Sequence, residues 1–87
     1  MIEKTVTVMN RAGIHARPAA LILKTANSFS SKLYIERDTM KINGKSIMGI
    51  ITLGASYKTE LKIVVDGTDE QKAADAIELL FTNRFEE

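Results

Sequence analysis

The segment Gly13-Ile14-His15-Ala16-Arg17-Pro18-Ala19-Ala20 holds the only histidine and the only proline of the chain. Histidine is the side chain whose ordinary titration falls at physiological pH, and its neutral ring is a nucleophile. Proline is tolerated in a helix only within the first turn, where backbone N–H groups lack intrahelical partners. Pro18 therefore predicts a helix starting within a residue or two of His15. Such a helix end presents unpaired N–H groups and roughly half a positive charge. That field favours an anion and disfavours an imidazolium, so the ring is expected to keep the lone pair that can attack phosphorus. A phosphoryl group so acquired would lie against the first-turn N–H groups of Ala16 and Arg17, with the Arg17 guanidinium as a charged donor. Taken singly, His15 also reads as an ordinary cap or surface residue, and Arg17 as a solvated surface arginine.

Composition removes other chemistries. With no cysteine, disulfides, thiol nucleophiles and thiolate metal sites are excluded. One histidine, with no carboxylate pair at ligand spacing around it, predicts no metal centre and no bound cofactor. Twelve basic and eleven acidic residues nearly cancel, which argues against a general nucleic-acid binder. MIEKTVTV does not read as a signal peptide, and no apolar run approaches the ~18 residues of a membrane span. A monomeric, soluble, cytoplasmic single domain over residues 1–87 is expected.

The elements that must position His15 follow from periodicity. Thr5 to Val8 alternates as a half-buried strand, and Asn10 to Gly13 reads as a loop. From Ala16 to about Asn27, Ala19, Ile22, Leu23 and Ala26 recur at helical spacing. Leu33 and Ile35 mark a second strand, Arg37-Asp38-Thr39 a turn, and Met40 and Ile42 a short third strand forming a hairpin with the second. Asn43-Gly44 is a strong turn signal. Leu61, Ile63 and Val65 mark a fourth strand ending at Asp66-Gly67. Thr68 to Gln71 reads as a capping box opening a last helix, with Ala73, Ala74, Ile77, Leu80 and Phe81 on one face. The order β-α-β-β-α-β-α predicts a two-layer α+β fold. Its helices cover one face of the sheet, leaving Thr5, Thr7, Tyr34 and Lys62 on a solvated one. Asp69, Glu70 and the Phe85-Glu86-Glu87 tail read as solvated surface.

Asn43-Gly44-Lys45-Ser46-Ile47-Met48-Gly49 is the second segment of interest. Ser46 is an N-cap candidate for a short helix running to about Leu53 and terminated at Gly54. A phosphate there would place nearly two negative charges at the positive end of a helix, which need not unfold it. One of Ile47, Met48 and Ile51 is expected to pack on the sheet. The others, with Ala16, Ala20 and Lys24 of the first long helix, would form an apolar contact patch beside His15.

The two segments together resemble HPr, the histidine-containing phosphocarrier family of the bacterial sugar phosphotransferase system, over essentially the whole chain. The resemblance implies an open-faced sandwich with an antiparallel sheet ordered 1-4-2-3 and three helices on one face. It implies that His15 is phosphorylated on Nδ1 by enzyme I, with phosphoenolpyruvate as ultimate donor, and that the group passes to enzyme II A domains. Arg17 would assist at the phosphoryl group. The Ser46 segment resembles the site modified by HPr kinase/phosphorylase, whose product slows transfer and serves a catabolite-control transcription factor as corepressor. The Ile47–Met48–Ile51 patch would then be shared among these partners. Family members often carry a hydroxyl or amide side chain where this chain has Ala12, so that auxiliary contact is absent. Two alternatives stand beside the carrier: an HPr-like regulatory binding protein acting through Ser46, of a kind that lacks the histidine, and a nitrogen-branch phosphocarrier.

Overall fold

A computed structural model describes residues 1–86. The chain runs β1 (Ile2–Thr7), α1 (Ala16–Asn27), β2 (Lys32–Arg37), β3 (Met40–Asn43), α2 (Ile47–Thr52), β4 (Glu60–Asp66) and α3 (Glu70–Thr82), then a single tight turn at Arg84–Glu86. The strands form one sheet in the order β1-β4-β2-β3, every neighbouring pair antiparallel. With α1, α2 and α3 this is the expected α+β open-faced sandwich. Its core lies between sheet and helices, where Val6, Ile35, Ile63 and Val65 meet Ala19, Ile22, Ile50, Ala74 and Ile77.

β1 begins earlier than its sequence pattern suggests, because Lys4 interrupts the apolar phase shared by Ile2 and Val6. Its ammonium lies 2.8 Å from Glu78 and 3.2 Å from Asp75, both on α3. These carboxylates raise its pKa and hold a charged residue on the helix-covered side. Val8 lies just past the strand yet is fully buried, its N–H donating to the Thr59 carbonyl at 2.9 Å. On the open face, Thr5 is exposed, while Thr7, Tyr34 and Lys62 are half-buried. Lys62 lies 3.4 Å from Glu3 and 3.8 Å from Glu36, and Lys41 Nζ sits 4.7 Å from the Tyr34 ring centre. Cross-strand charge pairs thus finish a surface that no helix covers.

Two readings of the C-terminal third are corrected. The capping box at Thr68–Gln71 does not form: Asp69 holds the N-cap position, and its side chain makes no cap bond. Its carboxylate instead accepts the N–H groups of Ser30 and Ser31, each at 2.9 Å, and the Ser31 hydroxyl. Glu70 accepts the Gly67 N–H at 3.2 Å. Asp69 and Glu70 are therefore half-buried ties rather than free surface charge. The hydrogen bonds from Ser31 and Ser30 hold the Asp69 carboxyl at about 2.

Phe85 is the second correction. It was expected in a solvated tail, yet it is 1% exposed and meets Phe81 edge-on, ring centres 4.9 Å apart at 69°. Arg84, Phe85 and Glu86 all take positive φ, between 53° and 60°, and this left-handed turn folds the chain back onto the core. Such backbone is unfavourable for non-glycine residues, and burial of the Phe85 ring against the core works in the opposite direction. Glu86 is exposed, as expected, and Glu87 lies outside the described residues.

Two outcomes follow. Phe85→Ala is expected to cost about 3–5 kcal/mol, measured by urea unfolding, whereas Phe85→Leu costs less than half as much. Because Asp69 titrates lower in the folded chain, its contribution is complete above pH 4 and is lost as pH falls toward 2. Asp69→Asn should accordingly lower Tm at neutral pH and flatten the decline of Tm between pH 4 and 2.

Candidate functional site

The loop before α1 is pinned at three points. Asn10, 1% exposed, donates from Nδ2 to the Gly13 carbonyl at 2.6 Å, while its own carbonyl accepts the Gly13 N–H at 3.1 Å. Ile14 is buried, and its N–H donates to the Ala55 carbonyl at 2.9 Å. Gly13 has φ +75, and a Cβ there would lie 2.8 Å from the Ala55 oxygen. Only glycine allows this approach without strain.

The pinned loop delivers His15 to the N-cap of α1, with φ −100 and ψ −165, its side chain exposed and not used as a cap. Its carbonyl accepts the Ala19 N–H at 3.0 Å, which starts the helix. Pro18 has no N–H, so Ala16 and Arg17 supply the first-turn amides at this entrance. Ala16, Arg17, Ala20 and Lys24 are all exposed, and Lys24 sits in the last turn, where a cation suits the helix dipole. The Arg17 guanidinium is tied to the C-terminal turn, where Nη1 donates to the Phe85 carbonyl at 3.2 Å. That bond uses one of the five N–H groups a guanidinium carries. No group of three or more metal-ligating side chains occurs among the described residues.

Ser46 takes the N-cap of α2, accepting the Gly49 N–H at 3.2 Å. Asn43 shapes the turn before it, its side chain accepting the Lys45 N–H at 2.8 Å and its carbonyl the Ser46 N–H at 3.1 Å. Arg37, read only as a turn residue, closes the other end of α2 by donating to the Leu53 and Gly54 carbonyls at 2.8 and 3.1 Å. The expectation that one of Ile47, Met48 and Ile51 packs inward is corrected. All three are exposed, at 37%, 68% and 40%, and Ile50 alone of this helix is buried. Six residues make less than two turns, which leaves room for one inward position. Since α1 packs against α2, Ala16, Ala20 and Lys24 stand on the exposed side of one helix, and Ile47, Met48 and Ile51 on that of its neighbour.

Asn10 and Arg37 are the positioning residues that sequence reasoning missed. Neither belongs to an apolar period, and what each does depends on a partner remote in the chain or on a loop conformation.

The fold is thus an open-faced sandwich with one exposed histidine at the entrance of its first helix. Residues 2–83 match the family described as the PTS HPr component phosphorylation site, and the chain belongs to the HPr phosphocarrier family. The phosphocarrier protein HPr of Treponema pallidum is 55% identical over 87 residues, covering 100% of this chain and 99% of that protein. The crystal structure of HPr-C-His from Thermoanaerobacter tengcongensis superposes with a TM-score of 0.96 at 45% identity, covering 100% and 98% of the two chains. The catabolite-repression protein Crh of Bacillus subtilis, solved as a swapped dimer, matches with a TM-score of 0.78 at 38% identity, covering 97% of each chain.

Ser46→Ala is expected to cost about 1 kcal/mol through loss of the cap, whereas Ser46→Asp, which keeps an acceptor at that position, should remain near wild type in thermal melts.

Proposed function

We propose that this chain, acting as one monomeric domain, carries a phosphoryl group on His15 from phosphorylated enzyme I to enzyme II A domains. The observation that carries the reading is the placement of His15. It is an exposed N-cap whose ring does not cap its own helix, on a loop fixed by Asn10, Gly13 and Ile14. A lone pair on Nδ1 attacks the phosphorus of the donor protein, a P–N bond forms, and the donor's bond to phosphorus breaks. The new oxygens meet the Ala16 and Arg17 amides, and Arg17 turns a guanidinium N–H toward them. Catalysis of such a transfer is mainly positioning and charge compensation. The protein is thus a stoichiometric carrier, with the second set of catalytic groups coming from each partner.

Ser46 is the regulatory position in this reading, modified by an HPr kinase/phosphorylase, and the seryl-phosphorylated form engages a catabolite-control transcription factor. A phosphate on the cap of α2 suits the positive end of that helix. It also sets negative charge on the helix packed against α1, and so repels incoming phosphoryl groups. Ile47, Met48 and Ile51, with Ala20 and Lys24, form the surface that these partners use in turn, so they compete. The second reading is a regulatory binding protein acting through Ser46 and this patch, as in Crh-like relatives, and the presence of His15 weighs against it.

Incubation with enzyme I and labelled phosphoenolpyruvate separates the two readings. One label per chain is expected, lost in acid, kept in alkali and abolished by His15→Ala, with Ser46→Ala labelled like wild type. A chain that stays unlabelled while a known carrier is phosphorylated would move the weight to the regulatory reading, and an unaffected His15→Ala would overturn the assignment of His15 as the acceptor.

A further inference from the structure

The chain has four methionines and no cysteine, so thioethers are the only sulfur groups it offers to an oxidant. The fold treats the four unequally. Met9 is half-buried, and Met40 is exposed on β3. Met1 and Met48 are more exposed still, and they stand in different places. Met1 precedes β1, where its ammonium lies 3.0 Å from Glu70. Met48 lies in the first turn of α2, next to Ile47 and one turn before Ile51, the two exposed isoleucines of that helix.

The Met48 side chain contributes little to folding. Ile50 alone of α2 is buried, Ser46 caps one end of the helix, and Arg37 closes the other. The backbone carbonyl of Met48 accepts the Thr52 hydroxyl at 2.6 Å, a bond that leaves the thioether out. What the side chain presents is a flexible apolar group amid other apolar groups, able to fit several partner surfaces. Its sulfur is a weak hydrogen-bond acceptor and loses little when water is removed from it.

Hydrogen peroxide changes that. A sulfur lone pair attacks one peroxide oxygen, an S–O bond forms, the O–O bond breaks and water leaves. The thioether is oxidised and the peroxide reduced. The product is a polar, chiral sulfoxide, which methionine sulfoxide reductases return to the thioether.

We propose that Met48 is an oxidation switch on the contact patch, its sulfoxide closing that patch to the protein that phosphorylates His15. The proposal rests on the carrier reading above and on the place that reading gives Ile47, Met48 and Ile51. A partner seated on the patch strips water from whatever Met48 carries. The sulfoxide oxygen is a strong acceptor, and neither isoleucine side chain has an N–H or O–H to offer it. An acceptor buried without a partner weakens the complex. Because Met48 lies outside the core, the modified chain keeps its fold, and the loss falls on association.

The test treats the intact protein with hydrogen peroxide, follows each methionine by peptide mass spectrometry, and removes the peroxide. Initial rates of His15 labelling by enzyme I and phosphoenolpyruvate are then measured with carrier concentration varied. Met48 should gain oxygen faster than Met9 or Met40. The oxidised protein should show kcat/KM lowered about tenfold, the size expected for one buried acceptor left unpaired. The loss should sit in KM, with the rate at saturating carrier changed less than about twofold. Tm should move by less than about 4 °C, as for a change at an exposed site. Sulfoxide reductases acting on both epimers should restore the rate.

Each variant is compared with its own untreated rate. Met48→Leu, which has no sulfur at that position, should hold its rate through the same treatment, whereas Met40→Leu should lose rate as wild type does. The switch is refuted if protein carrying the Met48 sulfoxide is labelled within twofold of untreated protein, or if Met48→Leu is slowed by peroxide as much as wild type. Oxidation of Met48 no faster than that of Met9 also refutes it. Untreated wild type that accepts no label overturns the carrier reading itself.

Discussion

At Gly13 the backbone runs so close to the Ala55 carbonyl that a side-chain carbon would lie 2.8 Å from that oxygen, and φ there is +75. From this close approach follows the hydrogen bond between Ile14 and Ala55, which ties the loop before α1 to the loop after α2. Because Ile14 is then buried and His15 is the next residue, the imidazole has one direction left, outward from the helix entrance. Pro18 fixes how soon the helix begins, and Gly13 fixes where in space it begins. The position of the reactive ring depends on both.

His15 and Ser46 share one piece of physics. Each is the N-cap of a helix, each stands next to first-turn amides, and the two helices pack against each other. A group that gains phosphate at either place puts its charge where a helix end favours it. The difference lies in what the side chain does before modification. The Ser46 hydroxyl already accepts a bond from Gly49 and serves structure, whereas the His15 ring makes no bond with its own helix. The carrier reading needs this contrast, since a histidine occupied as a cap would have to break a contact in every cycle.

Long-range ties couple the site to parts of the chain distant in sequence. The carbonyl of Phe85 accepts a bond from Arg17, and the ring of Phe85 is held against Phe81 of α3. Asp69 at the start of α3 holds the backbone that enters β2. The helix layer is thereby fastened at both ends of α3, by contacts between side chains and backbone groups that no helical period marks.

The element order, the α+β class, the start of α1 and the cap of α2 were legible in the residues themselves. These features rest on local physics: alternation in strands, the missing N–H of Pro18, and the hydroxyl of Ser46 three residues before Gly49. The strand order was not legible in that way and came with the family resemblance. What needed tertiary structure was every feature whose partner is far along the chain. Lys4 looks like a break in a strand until Glu78 and Asp75 stand opposite it. Asp69 looks like a first-turn charge until Ser30 and Ser31 approach, and Phe85 looks like tail until a left-handed turn brings it onto Phe81. Of α2, the sequence determined that apolar side chains exceed what so short a helix can bury; which of them faces inward was decided by the cap at Ser46 and the closure by Arg37. Local stereochemistry is written in neighbouring residues. Burial, and the charge pairs that go with it, exist only once the chain has folded.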